Sequence, residues 1–221
     1  MDHAILINRL KSKPDLNQIV SEAIENPSML ISFIEIVQTE SSSVKFACTK
    51  VMRLISEQRP ELVYPYFDEI VKWLYNKNSF IKWDGILIIS NLVAVDSENR
   101  FEEVYENYFA LVHDSQMITA ANVVGNAWKI VIAKPELEND ITRRLLEVPQ
   151  VVYVNKGKPS PECNCIVCGQ VLECFEHFFE NSKNQALMIK FAEDQLGNQR
   201  KTVAKKAEKF LRRHGVTIKM V

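Results

Sequence analysis

Glycine and proline are scarce in this chain, with six glycines and eight prolines among 221 residues. A sandwich or barrel needs turn residues at every short loop, so the shortage argues against a many-stranded fold and in favour of long helices. Long apolar runs are missing too. The most apolar stretch, Gly85 to Val95, is broken by Ser90 and Asn91 and falls well short of the roughly 20 apolar residues that cross a bilayer as a helix, so no membrane association is expected. Nor is there an excess of positive charge: 27 Lys and Arg against 28 Asp and Glu give a net charge of −1. That balance argues against nucleic acid or anionic lipid being captured by bulk charge.

Cysteines number five, Cys48, Cys163, Cys165, Cys168 and Cys174, with no secretory leader ahead of them. An odd set of that kind implies no disulfide framework and a reducing, cytoplasmic setting. Catalytic signatures are lacking: there is no Gly-rich phosphate loop, no H-E-x-x-H and no G-x-S-x-G, and His3, His113, His177 and His214 lie far apart in the chain. Neither a cofactor nor an enzymatic activity is expected.

What the chain does contain is a repeat. Val44-Lys45-Phe46-Ala47-Cys48, Ile81-Lys82-Trp83-Asp84-Gly85 and Ile118-Thr119-Ala120-Ala121-Asn122 start at residues 44, 81 and 118, in equal steps of 37. Such a period marks a helical solenoid. Each start opens an apolar pattern of helical spacing: Val44, Ala47, Val51, Leu54 and Ile55; Ile81, Ile88 and Leu92; Ile118, Ala121, Val124 and Ile130. Second helices are predicted over 61–75, with Leu62, Tyr66, Ile70 and Leu74 inward; over 98–112, with Phe101, Val104, Tyr108 and Leu111; and over 136–148, with Ile141 and Leu145. Pro60 and Pro135 stand where a first helical turn tolerates a missing N–H, each followed by a glutamate that suits the positive end of the helix dipole.

The same 37-residue step returns between Cys165-Ile166 and Thr202-Val203, but 47 residues separate Ile118 from Cys165. The ten extra residues fall in 149–162, around Lys156-Gly157-Lys158-Pro159-Ser160-Pro161. The expected organisation is one domain over 1–221, with hairpins at about 15–39, 43–76, 80–113, 117–148 and 163–197, a capping helix over 200–214 and an inserted loop over 149–162.

The runs at Val44, Ile81 and Ile118, with Ala133-Lys134-Pro135-Glu136-Leu137 and the stretch from Thr202 to Leu211, resemble HEAT/armadillo-type repeats over roughly residues 15–214. That resemblance implies an all-α, right-handed superhelical solenoid of antiparallel hairpins. It also implies a non-catalytic scaffold that offers one row of helices to a protein or peptide, and no ligand residues transfer with it. A monomer is expected.

Charge is uneven along the chain. Glu98, Glu102, Glu103 and Glu106 crowd one second helix, Glu136, Glu138 and Asp140 the next, and Arg200, Lys201, Lys205, Lys206, Lys209, Arg212 and Arg213 the last. An acidic groove beside a basic helix would hold a charged partner segment, with Glu102, Glu103, Glu106, Lys205, Lys209 and Arg212 as contacts. Solvated faces on a solenoid give the same pattern.

Cys163, Cys165, Cys168 and His177 are a weak metal candidate: one C-x-C-x-x-C opens a helix without the second ligand pair of a structural zinc site. Cysteines packed as small apolar groups explain the run equally. Trp83 and Asp84, with Trp73 and Trp128, raise an alternative in which an alkylated-base DNA glycosylase-like protein holds a cationic base against aromatic faces and a carboxylate. The acidic central repeats speak against nucleic acid as partner. Asn91, Asn122 and Asn126 interrupt apolar helices and are expected to bond to neighbouring repeats.

Overall fold

The computed structural model describes residues 3–40 and 42–216; the ends of the expected domain, 1–2 and 217–221, lie outside the described residues, as does Ser41. The fold is all-α, with helices α1 (His3–Lys11), α2 (Leu16–Glu25), α3 (Met29–Thr39), α4 (Val44–Gln58), α5 (Pro60–Val63), α6 (Phe67–Trp73) and α7 (Ser79–Leu92). These are followed by α8 (Arg100–Ala110), α9 (Met117–Ala133), α10 (Glu138–Leu146), α11 (Pro161–Glu176), α12 (Gln185–Gln195) and α13 (Lys201–Arg213). One short hairpin, β1 (Val154–Asn155) and β2 (Lys158–Pro159), precedes α11. The chain forms two compact units, Met1–Val104 and Tyr105–Val221.

Within the first unit α4 packs on α2, α3 and α7, and α6 packs on α7. Hydroxyls and amides tie α4 to α7 one repeat apart: Thr49 donates to Asp84 at 2.6 Å, and Asn91 donates to Ser56 at 2.9 Å. Both pairs have the same sequence offset of 35, so equivalent surfaces of successive repeats meet. Asn91 therefore stacks repeats by bonding to the preceding helix. Asn126 instead donates to the Asn122 carbonyl of its own helix.

Two expected helix faces are rotated. Pro65 has no N–H to give, so the segment expected as one helix over 61–75 becomes α5, a 3-10 turn over Tyr64–Tyr66, and α6. The change of winding turns Val63, Phe67, Ile70, Trp73 and Leu74 into the core and leaves Leu62 and Tyr66 half-buried. In α9 the buried stripe is Thr119, Ala120, Val123, Val124, Ala127 and Ile130, while Ile118 is exposed.

In the second unit α11 lies between α9 and α13, and α12 packs on α13. The extra residues of the 149–162 segment turn back through Lys156 (φ 50°) and Gly157 (φ 77°), the left-handed pair that a two-residue hairpin turn requires. The hairpin is anchored by Tyr153, which is fully buried and donates its hydroxyl to the Val112 carbonyl at 3.0 Å. Val154 N–H adds a bond to the Ser115 carbonyl at 2.8 Å. The insertion is thus tied to its own unit at Tyr153 and Val154, while Val152 and the turn are exposed.

Candidate functional site

Asp96 sets the start of α8: its carboxylate accepts from the backbone N–H of Arg100 at 2.9 Å and of Phe101 at 3.1 Å, and from the Tyr64 hydroxyl at 2.7 Å. A carboxylate there suits the positive end of the helix. Phe101, Tyr105, Tyr108 and Phe109 form the buried face of α8, and Glu102, Glu103 and Glu106 lie on its exposed face. Glu106 is partly engaged by Arg144, at 2.7 Å. Arg144 also pairs with Asp140 at 2.6 Å and lies over the Tyr105 ring.

In the next acidic cluster Asp140 and Glu138 are engaged by side chains of this chain. The Tyr105 hydroxyl donates to Asp140 at 2.6 Å, and this bond, with Arg144, holds the Asp140 carboxyl below the usual carboxylate range against the opposing effect of burial. Glu138 is buried and accepts from Thr142 at 3.0 Å, Ser182 at 2.6 Å and Asn184 at 3.1 Å, tying α10 to the turn before α12. Of the expected acidic groove, the α8 carboxylates and Glu136 face solvent.

The basic helix α13 buries Val203, Ala207, Phe210 and Leu211. Gly169 lets it approach α11, because a Cβ there would stand 3.1 Å from Val203. Lys205, Lys209 and Arg212 are exposed on one stripe of the helix. Lys206 pairs with Glu173 at 2.7 Å, Arg213 with Glu176 at 2.6 Å, and Arg212 with Glu208 at 2.5 Å. Beside the stripe runs a groove of about 470 Å³ whose walls include Gln170, Leu172, His177, Lys209, Phe210 and Arg213.

Asp84 does not stand open to a base. One carboxylate oxygen accepts from Thr49 and the other from the Arg53 Nε at 3.1 Å, and burial raises its pKa above the ordinary carboxylate value despite those partners. Trp73 is a core residue, Trp83 joins Phe80 and Phe46 in a chain of ring contacts at 5.3 and 5.8 Å, and Trp128 stacks flat on His177 at 4.1 Å. Asp84 is therefore committed to Thr49 and Arg53, and each tryptophan to packing of its own.

Cys163, Cys168 and Cys174 are buried, and burial pushes the Cys168 and Cys174 thiols up to about 12. Cys165 is half-buried, and the His177 ring stacks on Trp128. Among the described residues no three His, Cys, Asp or Glu side chains come together in a group that could hold a metal ion. Among the described residues, too, no helix is long and apolar enough to cross a membrane.

Sequence reasoning did not find α1, the ring chain on α4 and α7, or the buried role of Glu138. For the last, Thr142 lies four residues on, but Ser182 and Asn184, which bury it, lie more than 40 residues away.

No protein-family model and no curated protein matches the chain. Among solved structures it is similar to a designed armadillo repeat protein, at a TM-score of 0.56 and 13% identity, covering 95% of this chain and 92% of that one. The all-α architecture and that likeness together make the fold armadillo-like, a solenoid-type array of helical repeats.

Proposed function

We propose that this chain is a non-catalytic scaffold that binds a protein or peptide partner, acting as a monomer in the cytoplasm. Repeat folds stack their helices into extended rows and use those rows as binding surfaces. The observation that carries the reading is the contrast between the two faces of α8 and of α13. Each buries an apolar face and turns outward a row of one charge, Glu102, Glu103 and Glu106 on the first and Lys205, Lys209 and Arg212 on the second. Side chains on such supported helices keep their spacing, so a partner meets a preformed pattern of charge.

The test is charge reversal. Glu102→Lys/Glu103→Lys/Glu106→Lys and Lys205→Glu/Lys209→Glu/Arg212→Glu are compared with wild type in capture of proteins from native lysate. Loss of the retained protein in one variant, with unchanged circular dichroism, supports the reading and tells which row is used. Equal retention by all three proteins would refute both surfaces.

A further inference from the structure

We propose that α13 is a docking edge for an acidic protein segment, read by the row Lys201, Lys205 and Lys209. The proposal rests on the binding reading above and narrows the partner to one chemistry. Of the six cations on α13, Lys206, Arg212 and Arg213 are neutralised by glutamates of this chain. Lys201, Lys205 and Lys209 are exposed and have no carboxylate partner among the described residues. They stand at intervals of four, and so form one row with a spacing of about 6 Å and a length of about 12 Å. Lys206 and Arg213 are compensated by glutamates of α11 and Arg212 by Glu208 one turn back on α13 itself, which leaves Lys201, Lys205 and Lys209 as the uncompensated row.

The support under the row is rigid. The opposite face of α13 is buried on Val203, Ala207, Phe210 and Leu211. Its far end is locked by rings, Phe210 edge-on to Phe179 at 5.3 Å and His214 stacked on Phe179 at 3.7 Å. Little backbone order remains to be lost when a partner binds.

The row selects for a ligand whose negative charges are also in single file. Glu173, Glu176 and Glu208 border it. A membrane surface or a phosphate backbone, with its dense charge on all sides, meets those carboxylates as well as the lysines. A helix with glutamate or aspartate at every fourth residue presents one row at the matching spacing of about 6 Å.

The probe is an alanine-rich helical peptide with three glutamates four residues apart, titrated against the full chain at low salt. An oligodeoxythymidine and phosphatidylserine vesicles are titrated alongside. Peptide binding that weakens at least about tenfold in Lys201→Glu/Lys205→Glu/Lys209→Glu supports the proposal, provided it persists in Lys77→Glu/Lys156→Glu/Lys158→Glu, which has the same net charge. Absence of peptide binding, an equal loss in both variants, or tighter binding of the oligonucleotide or the vesicles overturns it. If the row variant still captures the wild-type set of lysate proteins, this assignment fails while the scaffold reading stands; if even wild type captures none, the scaffold reading itself fails.

Discussion

Asp84→Ala is expected to destabilise the chain by about 2–3 kcal/mol, and Asp84→Asn by less than about 1 kcal/mol. The alanine leaves the Thr49 hydroxyl and the Arg53 guanidinium without their shared acceptor, in a site where the Asp84 and Arg53 side chains are only 17% and 23% exposed. The cost stays below that of breaking a fully buried ion pair because Arg53 keeps Glu57 at 2.7 Å. Asparagine offers one oxygen to Arg53 and an amide to Thr49, whose hydroxyl can turn to the Phe46 carbonyl at 3.2 Å. For a chain of this size the alanine loss corresponds to a fall in Tm of roughly 5–10 °C.

The pH dependence fixes the sign. Burial holds the Asp84 pKa above its ordinary value, so the ionised carboxylate costs the folded state stability at neutral pH. That cost fades as pH falls through the folded pKa and is gone below the unfolded value of about 4. Wild type should therefore gain on Asp84→Asn as pH is lowered from 7 to 4, measured by urea unfolding followed by circular dichroism. An asparagine variant as unstable as the alanine variant at pH 7, or a gap that does not change with pH, would refute the reasoning.

The packing and hydrogen bonding set further outcomes. Gly85→Ala puts a Cβ 3.0 Å from the Trp73 Cβ and should cost about 1–3 kcal/mol, whereas Gly125→Ala meets only the flexible end of Gln170 and should be neutral or gain up to about 1 kcal/mol; denaturant midpoints decide both. Tyr153→Phe leaves the Val112 carbonyl without its donor and should lower stability by about 1 kcal/mol in the same assay. Brief labelling with iodoacetamide, mapped by mass spectrometry, should modify Cys165 well before the buried Cys48, Cys163, Cys168 and Cys174. Tyr105→Phe removes the bond that most lowers the Asp140 pKa, so the stability that Asp140 lends above the ordinary carboxylate range should shrink, and acid unfolding should begin at higher pH.

The repeat was legible because it is written in apolar spacing, and equal steps of 37 residues survive any error in helix ends. Which face of each helix turns inward was less so. Pro65 was visible, but the 3-10 turn it imposes rotates α6 by an amount that only packing fixes, and Trp73 rather than Tyr66 enters the core. Polar residues were the hardest to place. Glu102 and Glu138 are both glutamates on second helices, yet one is exposed and the other accepts from Thr142, Ser182 and Asn184, because a turn from a later hairpin covers it. Sequence distance hides such partners. The hairpin at 154–159 was readable only as an insertion, although Lys156-Gly157 carries the turn signal in hindsight of its geometry.

The most direct test of the scaffold reading is capture by tagged protein from its native lysate at moderate salt, with and without nuclease. A protein partner retained equally in both samples is the predicted result; retained material that disappears after nuclease treatment would contradict it and make nucleic acid the ligand.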